Sequence, residues 1–281
     1  MITSDDSVAV ITKSAIVVNS QGIIRPSFAQ VSEFNEFEES SPFNQDFPRW
    51  PCHSGRDYEA SFRSFMLSAN LNPDSLDFTE AFRLMKNKIR VLQRSPYANL
   101  LAGPCLPIIQ PQTCSSQYYD SLLSFFWTRL DGSHRRKVDY LPGKLLMKDQ
   151  SEFNLPLRPE TLRVRLIFPQ ALPPLSIEDM NGFTDLLKSQ HSLSLAGPLE
   201  MLCAMMAFPS VFRGNFRFFF PNFFIIKKDE EKNSSASIVG GHQDREPITL
   251  MPFLAFNRNT LSFQATGSIE PKIFDFCPII F

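Results

Sequence analysis

Arg129, Arg135, Arg136 and Lys137 place four cations within nine residues. Such a run suits phosphate oxygens, because guanidinium and ammonium groups hold a nucleic-acid backbone by charge and donated hydrogen bonds without reading bases. If 135–137 run as a strand, alternation sends Arg135 and Lys137 to one face and Arg136 to the other, which divides the patch. The competing reading is an outer strand whose cations are solvated or paired with Asp139 or Asp149, as surface charge runs usually are. The run lacks the interleaved aromatic side chains on which RNA readers stack bases.

Other reactive groups are scattered. The sequence holds no phosphate-cradling glycine loop, no G-x-S-x-G elbow, no H-E-x-x-H and no Cys/His set with metal-ligand spacing. His53, His134, His191 and His242 fall in four separate segments and read as structural or solvated. Cys114, beside Ser115 and Ser116, precedes a helical pattern whose N-terminus would favour a thiolate, but no base partner accompanies it. The expectation is a protein that is not an enzyme, with no catalytic residue, no metal and no cofactor.

The basic run is positioned by residues 118–147. Tyr119, Leu122, Leu123 and Phe126 recur at helical spacing, whereas Val138 and Tyr140 alternate, so the period changes from 3.6 to 2. Gly132 stands at the changeover and Pro142-Gly143 turns the chain into the apolar run Leu145–Met147. Gly132 and Gly143 are therefore the expected structural turn positions; a Cβ at Gly132, where the chain leaves a helix, costs about 1 kcal/mol if the backbone is left-handed. A second passage repeats the grammar: Leu199, Leu202, Met205 and Met206, then Phe208, Phe212, Arg213-Gly214 and the strand-like run Asn215 to Ile226.

Composition bounds the answer further. The 281 residues include 28 Phe and 22 Pro against 11 Gly, with a formal net charge of −1. That is a β-rich, aromatic-cored chain without the global positive field of a nucleic-acid coat. Cys52, Cys105, Cys114, Cys203 and Cys277 are odd in number and widely spaced, so neither a disulfide framework nor a zinc site is signalled, and a reducing compartment is expected. Arg217, Pro209 and Pro221 interrupt the apolar runs well short of a membrane span of about 20 residues.

Three regions follow in order. Residues 1–56 read as an N-terminal arm and acidic linker. Within them Val8 to Ile11, Ala15 to Val18 and Gly22-Ile23-Ile24 are β-prone, as an edge hairpin or an extended arm, and little before Pro48 is expected to support the fold. Residues 57–97 read as a helical hairpin. Asp57 caps a helix with Tyr58, Phe62, Phe65, Met66 and Ala69 on one face; Asp77 and Glu80 begin a second with Phe78, Phe82, Met85, Ile89 and Leu92, stopped by Ser95-Pro96. Residues 98–281 turn to strands punctuated by proline. The clearest alternates Leu162, Val164, Leu166 and Phe168 with Arg163, Arg165 and Ile167 and is expected to be ended by Pro169, Pro173 and Pro174. A helix over Ser176 to Lys188 and strands at 216–220, 248–256, 261–265 and 273–281 complete a pattern that favours a sandwich or barrel.

The passage 118–147 resembles the helix-to-strand passage of jelly-roll capsid proteins from picorna-like RNA viruses, which runs from an apolar helix through aromatic residues, Arg and Gly-Ser to a strand and a short turn. The first copy is preferred over the second because the chain before and after it leaves room for the remaining strands of one barrel. The resemblance implies a mainly β, jelly-roll-like antiparallel β-sandwich, α+β overall once the helical insertion is counted. It implies a structural subunit of an icosahedral capsid, made in the host cytoplasm and resident in the virion. Its partners would be related capsid subunits in homo- and hetero-oligomers around an RNA genome contacted without sequence specificity. A starting Met fits a subunit made from its own reading frame. The rival class is a viral non-structural interaction protein, a movement or host-antagonist factor, and an uncharacterised enzyme on a β scaffold comes third. A shell subunit should also expose apolar patches, with Phe34, Phe37, Phe43, Phe47, Phe223, Phe224 and Phe281 as candidates.

Overall fold

The fold is that of a computed structural model, which describes residues 16–26, 55–111, 119, 122–123, 125–130, 137–139, 145–147, 162–172, 187, 193–209, 212, 215–227, 248–257, 260–267 and 275–281. The chain first forms a hairpin of β1 (Ile16–Val18) and β2 (Ile24–Pro26), with Val18 opposite Ile24. Asn19 closes it by accepting the backbone N–H of Gln21 and Ile23 on its side-chain oxygen at 3.0 and 2.9 Å. Gly22 takes a left-handed φ of +83°, and a Cβ there would lie 2.7 Å from the Gly103 backbone nitrogen, so the turn requires glycine twice over. Val18 and Ile24 are buried, and Asn99 Nδ2 donates to the Val18 carbonyl at 3.1 Å. Against the expectation that little before Pro48 supports the fold, the hairpin places two aliphatic side chains in the main core.

Two helices follow, α1 (Gly55–Ser68) and α2 (Phe78–Gln93). Phe62, Phe65 and Met66 of α1 are fully buried. The helix ends earlier than Asn72-Pro73 suggests, because Asn70 adopts a left-handed φ of +57° and the chain closes with Leu71 N–H to Met66 O at 2.8 Å and Asn70 N–H to Leu67 O at 3.0 Å. At the start of α2, Asp77 accepts the Glu80 N–H at 3.0 Å as expected. The reciprocal half of the capping box is not made; Glu80 turns forward to grip Arg83 instead. Phe62 and Phe82 stack across the pair at 5.7 Å.

The remaining strands are β3 (Leu106–Pro111), β4 (Lys137–Asp139), β5 (Leu145–Met147), β6 (Leu162–Leu172), β7 (Ser194–Leu195), β8 (Phe216–Phe219), β9 (Phe223–Lys227), β10 (Ile248–Asn257), β11 (Thr260–Thr266) and β12 (Asp275–Ile280). A single hydrogen-bonded path runs β3-β6-β12-β8-β10-β11-β4, with β7 beside β12 and β9 bridging β10 to β5. The protein is thus mainly β with some helices. The sheet is mixed and not purely antiparallel: β12 pairs β8, and β11 pairs β4, in parallel. Parallel neighbours need connections longer than a hairpin, and here the chain between each pair crosses other strands.

Proline explains two departures from the sequence pattern. β6 continues through Pro169 to Leu172 because the ladder to β12 shifts register between Cys277 and Ile279, opposite that proline, so its missing N–H leaves no bond unmade. The run Asn215 to Ile226 is broken at Phe220-Pro221-Asn222. Phe219 faces Phe253 and Ile225 faces Leu250, so β8 and β9 follow the same strand with a three-residue bulge between them. β3 carries Pro107 and Pro111 and lies at one end of the path, where an edge strand tolerates them.

The core is aromatic. Phe212, Phe218 and Phe256 meet at 5.8–6.3 Å, and Phe219 stacks on Phe253 at 5.0 Å. Helix α3 (Pro198–Ala207) buries every residue except Glu200, so it is apolar all round and not a striped surface helix. α1 packs on α3 and β3, and α2 packs on β6. Phe223 and Phe281, expected among the exposed aromatics, are both buried. Phe34, Phe37, Phe43, Phe47 and the Phe224 side chain lie outside what is described. The large apolar side chains exposed among the described residues are instead Leu67, Leu84 and Val91, all on α1 and α2.

Candidate functional site

The passage that carries the basic run is a helix followed by a strand. Residues 119, 122, 123 and 125–130 are helical, and Tyr119, Leu122, Leu123, Phe126, Trp127 and Leu130 are buried. Phe126 reaches Phe65 of α1 at 5.8 Å, and Trp127 meets Phe263 of β11 edge-on at 6.0 Å. β4 begins at Lys137, paired with Thr260 of the same β11. Strand β11 therefore anchors both ends of the passage, bringing the end of the helix and the start of β4 to the last strands of the sheet path. Arg129 is exposed, with its guanidinium 5.3 Å above the Phe125 ring, a cation held on an aromatic face. Lys137 is placed by its backbone alone. Arg135, Arg136, Gly132 and Gly143 lie outside the described residues, as do the four histidines and Cys114.

A second constellation, which no sequence motif announces, surrounds the N-terminus of α3. Gly197 occupies the cap, so no cap side chain can accept from the first turn; the Tyr119 hydroxyl accepts the Leu199 N–H at 3.0 Å in its place. Glu200 reaches back to accept the Gly197 N–H at 2.9 Å. Tyr119 stacks on Phe223 at 5.2 Å above this turn, and a Cβ on Gly197 would come within 2.6 Å of the Phe223 ring and 2.7 Å of the Tyr119 hydroxyl. Burial pushes the Glu200 carboxyl above its ordinary range, against the pull of its own and the Gly197 N–H, Arg165 and Gln110. Gln110 is buried, and its side-chain oxygen has no hydrogen-bond partner among the described residues. Cys203, one turn along α3, is also pushed well up by burial and then by the charge of Glu200, so its thiolate is strongly disfavoured. These groups close a buried helix end; they do not make an activated nucleophile.

The third buried polar pair is Arg217 with Asp275, on adjacent parallel strands and in direct register. The carboxylate is 1% exposed and the guanidinium 29% exposed, and Arg217 Nε donates to Asp275 Oδ1 at 2.6 Å while Nη2 binds Oδ2. The guanidinium also lies 5.2 Å over Phe219 and 5.9 Å over Phe253. A two-pronged Arg–carboxylate pair, its guanidinium lying against the stacked rings of Phe219 and Phe253, fixes register between β8 and β12. In sequence, Asp275 is a lone acid in an apolar run and Arg217 a lone cation among phenylalanines; that shared oddity was the available signal.

Among the described residues no group of three or more His, Cys, Asp or Glu is placed to hold a metal ion, and no helix is long and apolar enough to cross a membrane. Cys105, Cys203 and Cys277 are thiols, with burial raising Cys277 far above its ordinary range. Comparison of the chain with protein-family models, with curated proteins and with solved structures finds no match.

Proposed function

We propose that the chain is a structural subunit that acts by assembly, as the shell subunit of jelly-roll type to which its helix-to-strand passage is similar. The supporting observation is where polarity and apolarity fall. Two buried polar groupings are committed to internal tasks, capping α3 and locking β8 to β12, while the exposed large apolar side chains among the described residues gather on the helical pair, with Leu67 65%, Val91 59% and Leu84 40% exposed. A protein arranged in this way offers faces for other chains. On this reading its partners are related subunits, and the enclosed RNA is met through Arg129, Arg135, Arg136 and Lys137 without base readout.

The test is solubility of the full chain expressed alone, and with sister subunits from the same genome. Alone it should partition into aggregates, and a Leu67→Ser/Leu84→Ser/Val91→Ser variant should shift it toward the soluble fraction; sister subunits should do the same for the unaltered chain. A chain that is soluble and monodisperse alone, and indifferent to those substitutions, contradicts the proposal.

A further inference from the structure

Between residues 81 and 119 the sequence carries five cations, Arg83, Lys86, Lys88, Arg90 and Arg94, and no carboxylate, in a chain whose overall charge is −1. The structure concentrates them. Ala81, Met85 and Leu92 turn the apolar stripe of α2 into the core, which leaves Arg83, Lys86, Arg90 and the C-cap Arg94 exposed along the opposite side. At 1.5 Å per residue, the row from Arg83 to Arg94 runs about 16 Å along the helix. Arg83 is gripped by Glu80, whereas Lys86, Arg90 and Arg94 pair with no carboxylate among the described residues. The row continues sideways. α2 packs on β6, whose Arg163 and Arg165 are exposed, and half-buried Lys88 lies near Arg165 with its ammonium 5.3 Å from the ring of Phe281. Burial lowers the Lys88 ammonium below its ordinary range and the nearby charge of Arg165 lowers it further, as expected where cations crowd one surface.

We propose that the outward side of α2, continued over Arg165 of β6, is a binding surface for the phosphodiester backbone of a nucleic acid. Three observations select this occupant. Lys86, Arg90 and Arg94 are uncompensated among the described residues, so the surface suits a dense, linear anion, and a nucleic-acid strand carries one charge per few ångströms. Most are arginines, whose planar forks match phosphate oxygens. The apolar stripe of α2 is already used by the core, so the helix cannot insert into a bilayer as an interfacial amphipathic helix would. Leu84 and Val91 on the flank are too few to replace it, but they supply apolar contact for sugar and base faces. The surface lies on different elements from Arg129 and Lys137, and the inference does not depend on the shell reading.

Filter binding of the full chain to mixed-sequence single-stranded RNA and DNA across a salt series tests it. Affinity should fall steeply with salt, and Lys86→Gln/Arg90→Gln/Arg94→Gln should flatten the slope of log affinity against log salt by about 2, at about 0.7 per lost contact, with roughly a hundredfold weaker binding near about 0.1 M salt. The charge-preserving Lys86→Arg/Arg90→Lys/Arg94→Lys variant should keep most of the affinity, and loss of one cation elsewhere on the helical pair, Arg63→Gln, should leave it unchanged. Matching thermal melts for the exposed α2 variants establish that charge and not folding is read. Wild-type binding by the triple Gln variant overturns the proposal. So does a loss confined to Arg129→Gln, which moves binding to the 129–137 passage, or an α2-dependent binding of phosphatidylserine vesicles without binding of nucleic acid.

Discussion

Asp275 shows what a single side chain can impose. With its carboxylate almost wholly buried and clasped by Arg217, removing either partner strands the other in a poorly solvated slot. Arg217→Met should cost roughly 3 kcal/mol in denaturant unfolding, while Arg217→Met with Asp275→Leu should recover much of that, because replacing both charges removes the unpaired one. Simple addition of two separately measured losses would show that the pair is not coupled. Glu200 carries the opposite kind of information. Its native pKa is raised, so the folded state holds the proton more tightly than the unfolded chain; the stability linked to it is fully present below the unfolded value of about 4.3 and is lost as pH rises through the native value. Glu200→Gln keeps an oxygen for the Gly197 N–H and cannot ionise. The melting temperature of the wild type should therefore drop relative to this variant as pH rises above the unfolded value. A constant difference as pH rises would mean that Glu200 does not titrate differently on folding.

At the scale of elements, the hairpin β1–β2 is the part whose importance local pattern conceals. Ile24 is fully buried and Val18 nearly so, and Asn99 ties the hairpin to the turn over residues 98–102. Ile24→Ala should cost about 2–5 kcal/mol of unfolding free energy, the range for truncating a buried aliphatic side chain; an effect below about 0.5 kcal/mol would show that the hairpin is dispensable. Three residues of strand on either side of a turn carry little periodicity, so a neighbouring acidic, unpatterned stretch dominates the reading of the sequence there. The two helices were legible because Asp77 is a strong cap and the spacing of Phe62, Phe65, Met66, Met85 and Leu92 is helical. The first half of β6 was legible because Arg163 and Arg165 alternate with buried residues; its second half was not, because a proline normally ends a strand and only the register shift against β12 excuses it. Parallel pairing of β12 with β8 depends on partners about 60 residues apart, which no local window reports. The α3 cap was hidden for the same reason: Tyr119 and Leu199 lie 80 residues apart. The cations of α2 are visible in the sequence as a run without acids, but their proximity to Arg165 of β6 depends on a packing of distant segments that no local window reports.

For the whole molecule, the core is aromatic across helices and strands alike, and the proposed reading puts function on the outer faces: the apolar side chains of α1 and α2, the cationic side of α2, and the strand β4 at the end of the path with its Lys137. The central claim of that reading is that the exposed apolar side chains of α1 and α2, Leu67, Leu84 and Val91, bind other chains. Sedimentation velocity of the complex recovered after co-expression with sister subunits, at moderate salt, measures it most directly. A large, discrete assembly containing this chain in fixed proportion to its partners is the expected result, with the Leu67→Ser/Leu84→Ser/Val91→Ser variant displaced toward slower species. A single slow boundary at the size of one 281-residue chain, unchanged by partners and by those substitutions, would contradict the account.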